Sequence, residues 1–133
     1  MGNMEQGLRL LILEDVAAEA ELAAHQLKRA GLTCTWTRVE TEEAFREALH
    51  ELRPDLILLD MLLPKLGGPE VLRALKNDPI TAQIPVVVLS SLSQMNEAKF
   101  IKDGAAAYFE KSKLRLDADS QALLEIVKVA MAQ

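Results

Sequence analysis

Three short segments made only of apolar residues constrain most strongly how this chain can fold. They are Leu10–Leu13, Leu56–Leu59 and Val86–Leu89. Apolar runs of about four to eight residues, without alternating polar positions, are typical of strands that are covered on both faces. Because antiparallel sheets commonly leave one face in water, this pattern predicts a central parallel sheet.

Two further segments are weaker candidates for strands. Thr33–Thr37 is rich in residues that favour extended backbone, and Ala105–Phe109 follows Gly104, a residue typical of helix ends. Since both segments are weaker candidates than the first three, we expect them to be the outer strands of the sheet.

Helical patterns lie between the predicted strands. In the clearest one, Thr41 is the predicted N-cap, Pro54 marks the end, and apolar residues recur at i, i+3, i+4 and i+7: Phe45, Ala48, Leu49 and Leu52. The remaining helices are predicted from three similar sets and a C-terminal one: Val16, Ala20, Ala23 and Leu27 before Gly31; Val71, Leu72 and Leu75 after Pro69 at the first helical position; Met95 and Ile101 after Ser93 as N-cap; and Leu123, Ile126, Val127 and Ala130.

Strands that alternate with helices predict a doubly wound α/β domain, a (βα)5 unit with a parallel sheet and helices on both faces. A chain of 133 residues with 50% hydrophobic content fits one compact domain. We expect residues 1–7 to form a flexible tail and residues 8–133 to form the domain. Since the last predicted helix reaches the end of the chain, we also expect a stand-alone domain.

The charge pattern restricts the partners. The net charge of −5 comes from 15 basic and 20 acidic residues without a long basic run, which argues against direct binding of nucleic acid and favours protein partners. The apolar runs are too short to cross a membrane, and the N-terminus lacks a basic signal-peptide opening. The single cysteine, Cys34, is compatible with a reducing compartment, so we expect a cytoplasmic protein.

Polar side chains collect where the predicted strands end. Ligands of open parallel sheets bind beyond the carboxyl ends of the strands, so we expect functional residues at these positions. They hold Glu14, Asp15, Asp60, Ser90 and Lys111. Carboxylates brought to one edge repel each other unless one takes a proton or a cation binds. With no cluster of histidines or cysteines nearby, Mg²⁺ is the cation that suits oxygen ligands.

A cation, a lysine and a hydroxyl group beside an aspartate make an environment suited to a phosphoryl group. Asp60 would then act as a nucleophile that forms an aspartyl phosphate. Taken singly, each residue has an ordinary structural explanation: Asp60 as a loop or capping residue, Lys111 as a surface lysine, and Ser90 as a strand-end hydrogen-bonding residue.

Together these residues resemble the receiver domain of bacterial two-component response regulators, over about residues 8–132. The matching pieces are Glu14-Asp15, the segment Leu59-Asp60-Met61-Leu62-Leu63-Pro64 with Gly68, Ser90, and Tyr108 with Lys111. The resemblance implies a flavodoxin-like strand order, 2-1-3-4-5. It also implies a stand-alone switch, similar to the chemotaxis regulators, that works as a phosphoacceptor and not as a turnover enzyme.

The resemblance implies a role for each residue. Asp60 is phosphorylated; Asp15, Asp60 and the Leu62 backbone carbonyl bind Mg²⁺ directly, and Glu14 binds it mainly through water. Lys111 and Ser90 contact the phosphoryl oxygens.

Ser90 and Tyr108 form the switch of such a domain, in which the aromatic ring turns inward and alters the face made by helix four, strand five and helix five. Tyr108 could instead be an ordinary part of the core edge. The implied partners are a sensor histidine kinase or histidine phosphotransfer protein and a downstream protein target, with the chain a monomer or weak dimer.

The chain departs from the family pattern in two ways, and each departure leads to a prediction. The family usually has proline after its lysine, in a cis peptide bond, whereas this chain has Lys111-Ser112. A cis bond without proline costs roughly 2.5 to 4 kcal/mol, so we expect a trans bond here and a changed path for Lys111. Leu62 and Leu92 offer no hydrogen bond to an attacking water, which predicts slow loss of the phosphoryl group.

Other functions remain open at the level of sequence. A flavodoxin-like cofactor domain would need a phosphate-binding loop after the first strand, but Asp15–Glu19 is acidic and lacks glycine. A phosphohydrolase of the haloacid dehalogenase type would need a second aspartate where Leu62 stands. The chain could also be a receiver excised from a hybrid kinase or longer regulator, or a non-phosphorylated interaction module.

Overall fold

The computed structural model describes residues 7–61, 67–90, 97–114 and 120–132. The strands are β1 Leu8–Leu13, β2 Cys34–Val39, β3 Leu56–Asp60, β4 Val86–Ser90 and β5 Ala107–Glu110. The helices are α1 Ala17–Arg29, α2 Glu42–Leu52, α3 Gly68–Asn77, α4 Glu97–Lys102 and α5 Ser120–Met131, with a 3₁₀-helix at Lys111–Leu114. Strands and helices alternate along the chain as the apolar pattern predicts.

The five strands form one parallel sheet in the order β2-β1-β3-β4-β5. The three fully apolar segments occupy the three central positions, where both faces of a strand are covered. The two weaker strand candidates are the edge strands, as expected. The predicted fold class, a doubly wound five-stranded α/β domain with order 2-1-3-4-5, is therefore confirmed.

The sheet separates two hydrophobic cores because successive side chains of a strand point to opposite faces. In β3, Leu56 and Leu58 join the core under α1 and α5, whereas Ile57 and Leu59 join the core under α2 and α3. All four side chains have no exposed surface. The strand that ends in Asp60 is thus held from both sides.

The edge strands differ from their predicted positions. β2 begins at Cys34 and ends at Val39, two residues beyond the predicted end, and β5 begins at Ala107, not Ala105. Residue preference for strands depends on packing against neighbours, so it predicts the ends of an edge strand poorly. Cys34 is half-buried, and its burial raises the pKa of the thiol.

Most helix boundaries follow the predicted signals. The Thr41 hydroxyl accepts a hydrogen bond from the Ala44 N–H at 3.1 Å, as an N-cap should, and α2 ends at Leu52 before Pro54. Gly104 follows α4 with a φ of +114°, which a glycine adopts without strain.

Two helix starts differ from the prediction. Val16 is the N-cap of α1 and is exposed, so it does not belong to the buried face of that helix. Pro69 occupies the second position of α3 because the helix begins at Gly68. The predicted cap Ser93 and the helix residue Met95 lie outside the described residues, and no helix within the described ranges is long and apolar enough to cross a membrane.

Candidate functional site

The carboxyl edge of the sheet gathers the polar residues predicted from the sequence. Asp60 is the last residue of β3, Ser90 is the last residue of β4, and Glu14 directly follows β1. Asp60 pairs with Leu89 across the sheet, which places Ser90 one residue beyond it on the neighbouring strand. Lys111 directly follows β5, whose Glu110 pairs with Ser90. Four strands therefore deliver side chains to one edge.

Three carboxylates form a cluster at this edge. One oxygen from each of Glu14, Asp15 and Asp60 lies within 4.8 Å of the others. Glu14 is fully buried and Asp60 is 2% exposed, whereas Asp15 is half-buried. Burial weakens the solvation of these charges, so their mutual repulsion is larger than it would be in water. A set made only of carboxylate oxygens fits a hard divalent cation such as Mg²⁺.

Lys111 supplies the positive charge of the site. Its ammonium nitrogen lies 2.9 Å from Glu14 Oε1, 3.3 Å from Asp60 Oδ2 and 3.2 Å from Glu19 Oε1. An ammonium group has three N–H donors, so these three carboxylates can occupy all of them. Asp15 lies beside Glu14 and Asp60 as a fourth carboxylate, so the groups of this site that the structure describes carry more negative than positive charge.

The buried charges shift each other's pKa values. Burial raises the pKa of Glu14 to about 7, although hydrogen bonds from Lys111 and from the Val16 N–H favour its ionised form. For Lys111, burial alone would lower the pKa, but the bonds and charges of Glu14, Asp60 and Glu19 raise it above its ordinary value. The ammonium group therefore stays charged, while the Glu14 carboxyl is poised between its two forms.

Backbone contacts fix Glu14 in place. Its N–H donates to the Val39 carbonyl at 3.0 Å, and its carbonyl accepts from Arg38 Nη1 at 3.2 Å. Its carboxylate accepts from the Val16 N–H at 3.1 Å, which accounts for the position of Val16 at the start of α1. The carboxylate is thus held between the start of that helix and Lys111.

The bond after Lys111 is trans, as expected for a chain without proline at this position: every peptide bond within the described ranges is trans. Lys111 opens the 3₁₀-helix, and the Ser112 hydroxyl donates to Glu110 Oε2 at 2.5 Å. The lysine side chain nevertheless reaches Glu14 and Asp60. The family's proline is therefore not needed to bring the ammonium group to this edge of the sheet.

Tyr108 lies in the core and not on the surface. It is 7% exposed, and its ring stacks on Phe100 of α4 with centroids 5.8 Å apart and planes at 26°. The ring is thus part of the packing between β5 and α4, and the switch role of Ser90 and Tyr108 stays a prediction. Leu62 and Leu92 lie outside the described residues, so the predicted Leu62 carbonyl ligand and the effect of the two leucines stay predictions.

Sequence reasoning missed Glu19 as a member of this site. An acidic residue in the first turn of a helix is common because it interacts favourably with the helix dipole, so its type gave no reason to place it near Lys111. The signal that could have found it is its position in the first turn of the helix that directly follows the acid pair. His25 and His50 are exposed, in agreement with a surface role for both.

Comparison with known proteins points to one family. Residues 10–127 match the response regulator receiver domain. The phosphate regulon transcriptional regulatory protein PhoB of Pseudomonas aeruginosa is 34% identical over 106 residues, which cover 79% of this chain and 45% of that protein. The chain thus spans less than half the length of this relative.

Solved structures show the same fold. The crystal structure of the Mn(2+)-bound form of the response regulator Rcp1 matches with a TM-score of 0.74 and 28% identity, covering 90% of this chain and 91% of that one. The BeF3-activated N-terminal receiver domain of Klebsiella pneumoniae RstA gives a TM-score of 0.73 and 26% identity, covering 94% and 99%. The family match runs from the first strand into the last helix and includes the whole sheet edge, so this chain belongs to the receiver domain family of two-component response regulators.

Proposed function

We propose that this chain is a phosphorylation-dependent signalling switch in which Asp60 accepts a phosphoryl group from a phosphohistidine. The donor is a sensor histidine kinase or a histidine phosphotransfer protein. One observation carries the proposal: a buried aspartate at a strand end lies 3.3 Å from the Lys111 ammonium, in a cluster with two other carboxylates. The proposal rests on this geometry and on membership of the family.

The chemistry needs little from the protein besides positioning and charge. An oxygen of the Asp60 carboxylate attacks phosphorus, a P–O bond forms, and the P–N bond to the imidazole breaks with the electron pair going to nitrogen. Lys111 and the Ser90 hydroxyl would donate hydrogen bonds to the phosphoryl oxygens. The chain would catalyse only its own phosphorylation and the later hydrolysis, so it is not a turnover enzyme.

We include a cation in the proposal because the described groups of the site carry more negative than positive charge. Glu14, Asp15 and Asp60 would hold Mg²⁺, with the Leu62 backbone carbonyl as a further ligand. The ion would supply positive charge to the phosphoryl oxygens. The Mn(2+)-bound form of the relative Rcp1 supports a divalent cation in this family.

The output of the switch would be a change at the face formed by α4, β5 and α5. Ser90 would move toward the phosphoryl group, and the packing of Tyr108 on Phe100 would respond because Ser90 and Tyr108 lie on neighbouring strands. A downstream protein target in the cytoplasm would bind this face in one state of the equilibrium. A longer regulator that carries this receiver would use the same chemistry.

Mass spectrometry of the intact protein tests the proposal. Wild type, D60N and D55N are incubated with acetyl phosphate and MgCl₂, and each is repeated with EDTA. We expect one added phosphoryl group on wild type and D55N with Mg²⁺, and none on D60N or in EDTA. Equal labelling of D60N would contradict the assignment of Asp60, and absence of labelling would favour an interaction module. Continuous turnover of a small phosphate ester would favour a phosphohydrolase.

A further inference from the structure

The 3₁₀-helix that carries Lys111 is joined to α1 at both of its ends. At the first residue, the Lys111 ammonium nitrogen lies 3.2 Å from Glu19 Oε1. At the last residue, the Leu114 carbonyl accepts a hydrogen bond from Gln26 Nε2 at 3.4 Å. One helix therefore contacts the lysine side chain and also the backbone of the segment on which the lysine lies.

The spacing of these two residues explains how a single helix makes both contacts. Glu19 and Gln26 are seven residues apart, which is close to two helical turns, so both lie on the same side of α1. Ala23 lies between them and is fully buried, and Leu114 packs into the same hydrophobic core. The side of α1 that faces the 3₁₀-helix is thus fixed by packing.

Gln26 is poorly suited to its buried position if its side chain only fills space in the core. The residue is 3% exposed, and its Oε1 has no hydrogen-bond partner within the described residues. A buried amide oxygen without a partner costs free energy, whereas an apolar side chain of similar size would fill the same space without that cost. The hydrogen bond from Gln26 Nε2 to the Leu114 carbonyl is an interaction that an apolar side chain could not make.

Glu19 completes the set of three acceptors around the Lys111 ammonium, beside Glu14 and Asp60. A phosphoryl group on Asp60 would take over the N–H that points to Asp60, while the bonds to Glu14 and Glu19 would keep the ammonium in place.

We propose that Glu19 and Gln26 are positioning residues that hold Lys111 for phosphoryl transfer, Glu19 through the ammonium group and Gln26 through the Leu114 carbonyl. This inference rests on the proposed function of Asp60. It assigns to α1 a part in the reaction that the strand-end residues alone do not provide.

The test compares the rate of Asp60 phosphorylation by acetyl phosphate with Mg²⁺ in wild type, E19Q and Q26M, measured by intact mass. E21Q is the matched control, since Glu21 is an exposed carboxylate on the same helix. We expect E19Q and Q26M to be slower than wild type by about tenfold, because a small displacement of a stabilising group has a large effect on rate. E21Q should keep the wild-type rate.

Two further measurements separate positioning from a merely structural role. In a K111M background, E19Q should have no additional effect, since Glu19 acts through the lysine. Q26M should unfold at the same or a higher temperature than wild type although it is phosphorylated more slowly.

Wild-type rates in both E19Q and Q26M would overturn the inference, as would an equal effect of E19Q with and without Lys111. A lower unfolding temperature of Q26M that accounts for its rate loss would also count against it. An unlabelled wild-type chain would instead overturn the proposed function of Asp60, and the inference with it.

Discussion

Two aspartates lie at opposite ends of the same strand and have different surroundings. Asp55 directly precedes β3 and Asp60 ends it. Asp55 accepts hydrogen bonds from the Arg9 backbone N–H at 2.8 Å and from the Arg9 guanidinium at 3.1 and 3.2 Å. Asp60 is more deeply buried and shares the Lys111 ammonium with Glu14 and Glu19. Asp55 pairs with one guanidinium, whereas Asp60 is one of three carboxylates that, among the described residues, share one ammonium group.

The two ends of the sheet shift carboxyl pKa values in opposite directions. Burial opposes ionisation of Asp55, but the hydrogen bonds and charge of Arg9 outweigh it and lower its pKa. At the other end, burial raises the pKa of Glu14 to about 7. A satisfied ion pair stabilises the fold, and an unbalanced cluster is suited to binding a cation or a phosphoryl group.

The largest expected difference between the two ends is in phosphorylation. With acetyl phosphate and Mg²⁺, D60N should lose all labelling because the attacking oxygen is replaced by an amide. D55N should be labelled like wild type, since Asp55 lies at the opposite edge of the sheet. Intact-mass measurements over time give both rates. Loss of labelling in a normally folded D55N variant would contradict the predicted difference between Asp55 and Asp60.

The second effect concerns the two cations. K111A removes the ammonium group from the carboxylate cluster and should slow phosphorylation by about 100-fold or more, which is typical when one donor to a developing charge is lost. R9A should leave the rate unchanged. The phosphorylation rates of both variants are measured by intact mass, and circular dichroism confirms that both are folded. Similar rates in K111A and wild type would show that Lys111 does not act on the phosphoryl group.

The third effect is stabilisation by Mg²⁺, measured by urea unfolding with and without the ion. At a free concentration 100 times the Kd, one bound ion should raise the free energy of unfolding by about 2.7 kcal/mol. D55N should show the same increase, and the double variant D15N/D60N should show little. An undiminished increase in that double variant would place the ion elsewhere.

The smallest effects are on stability in metal-free buffer, where the contributions of Glu14 and Asp55 should depend on pH in opposite directions. The folded-state pKa of Glu14, about 7, lies above its ordinary value of 4.5, so its contribution to stability falls as pH rises between these values. The folded-state pKa of Asp55 lies below 3.8, so its contribution is present above 3.8 and is lost at lower pH.

Unfolding curves of E14Q and D55N in EDTA check these signs. The free energy of unfolding of E14Q, relative to that of wild type, should increase as pH rises toward 7. The amount by which D55N is less stable than wild type should decrease as pH falls below 4. The same direction of change in both variants would contradict the proposed difference between the two ends.

The sequence predicts the central sheet well because burial on both faces leaves a clear apolar pattern, as in Leu56–Leu59. It predicts the edge strands less well, since β2 and β5 have one side free and their ends depend on neighbours. Val16 shows a further limit: the apolar pattern predicts it on the buried face of α1, whereas it is the exposed N-cap and its N–H donates to the Glu14 carboxylate.

The polar residues of the site could be predicted because parallel strands end at one edge. Glu14, Asp15, Asp60 and Lys111 meet there as the topology requires. Glu19 and Gln26 could not be predicted in the same way, because their contacts depend on the path of a 3₁₀-helix that has no distinct sequence pattern. Residues of a helix that reach the site only through tertiary contacts are not part of the sequence motifs at the strand ends.

The most direct test of the central claim is to trap the acyl phosphate and locate it. The protein is phosphorylated with acetyl phosphate and Mg²⁺ and then treated with borohydride, which reduces an aspartyl phosphate to homoserine, and peptides are sequenced by tandem mass spectrometry. Homoserine at position 60, with Asp55 and Asp15 unchanged, is the predicted result. Homoserine at another position, or its absence from a protein that carries the phosphoryl group, would contradict the account.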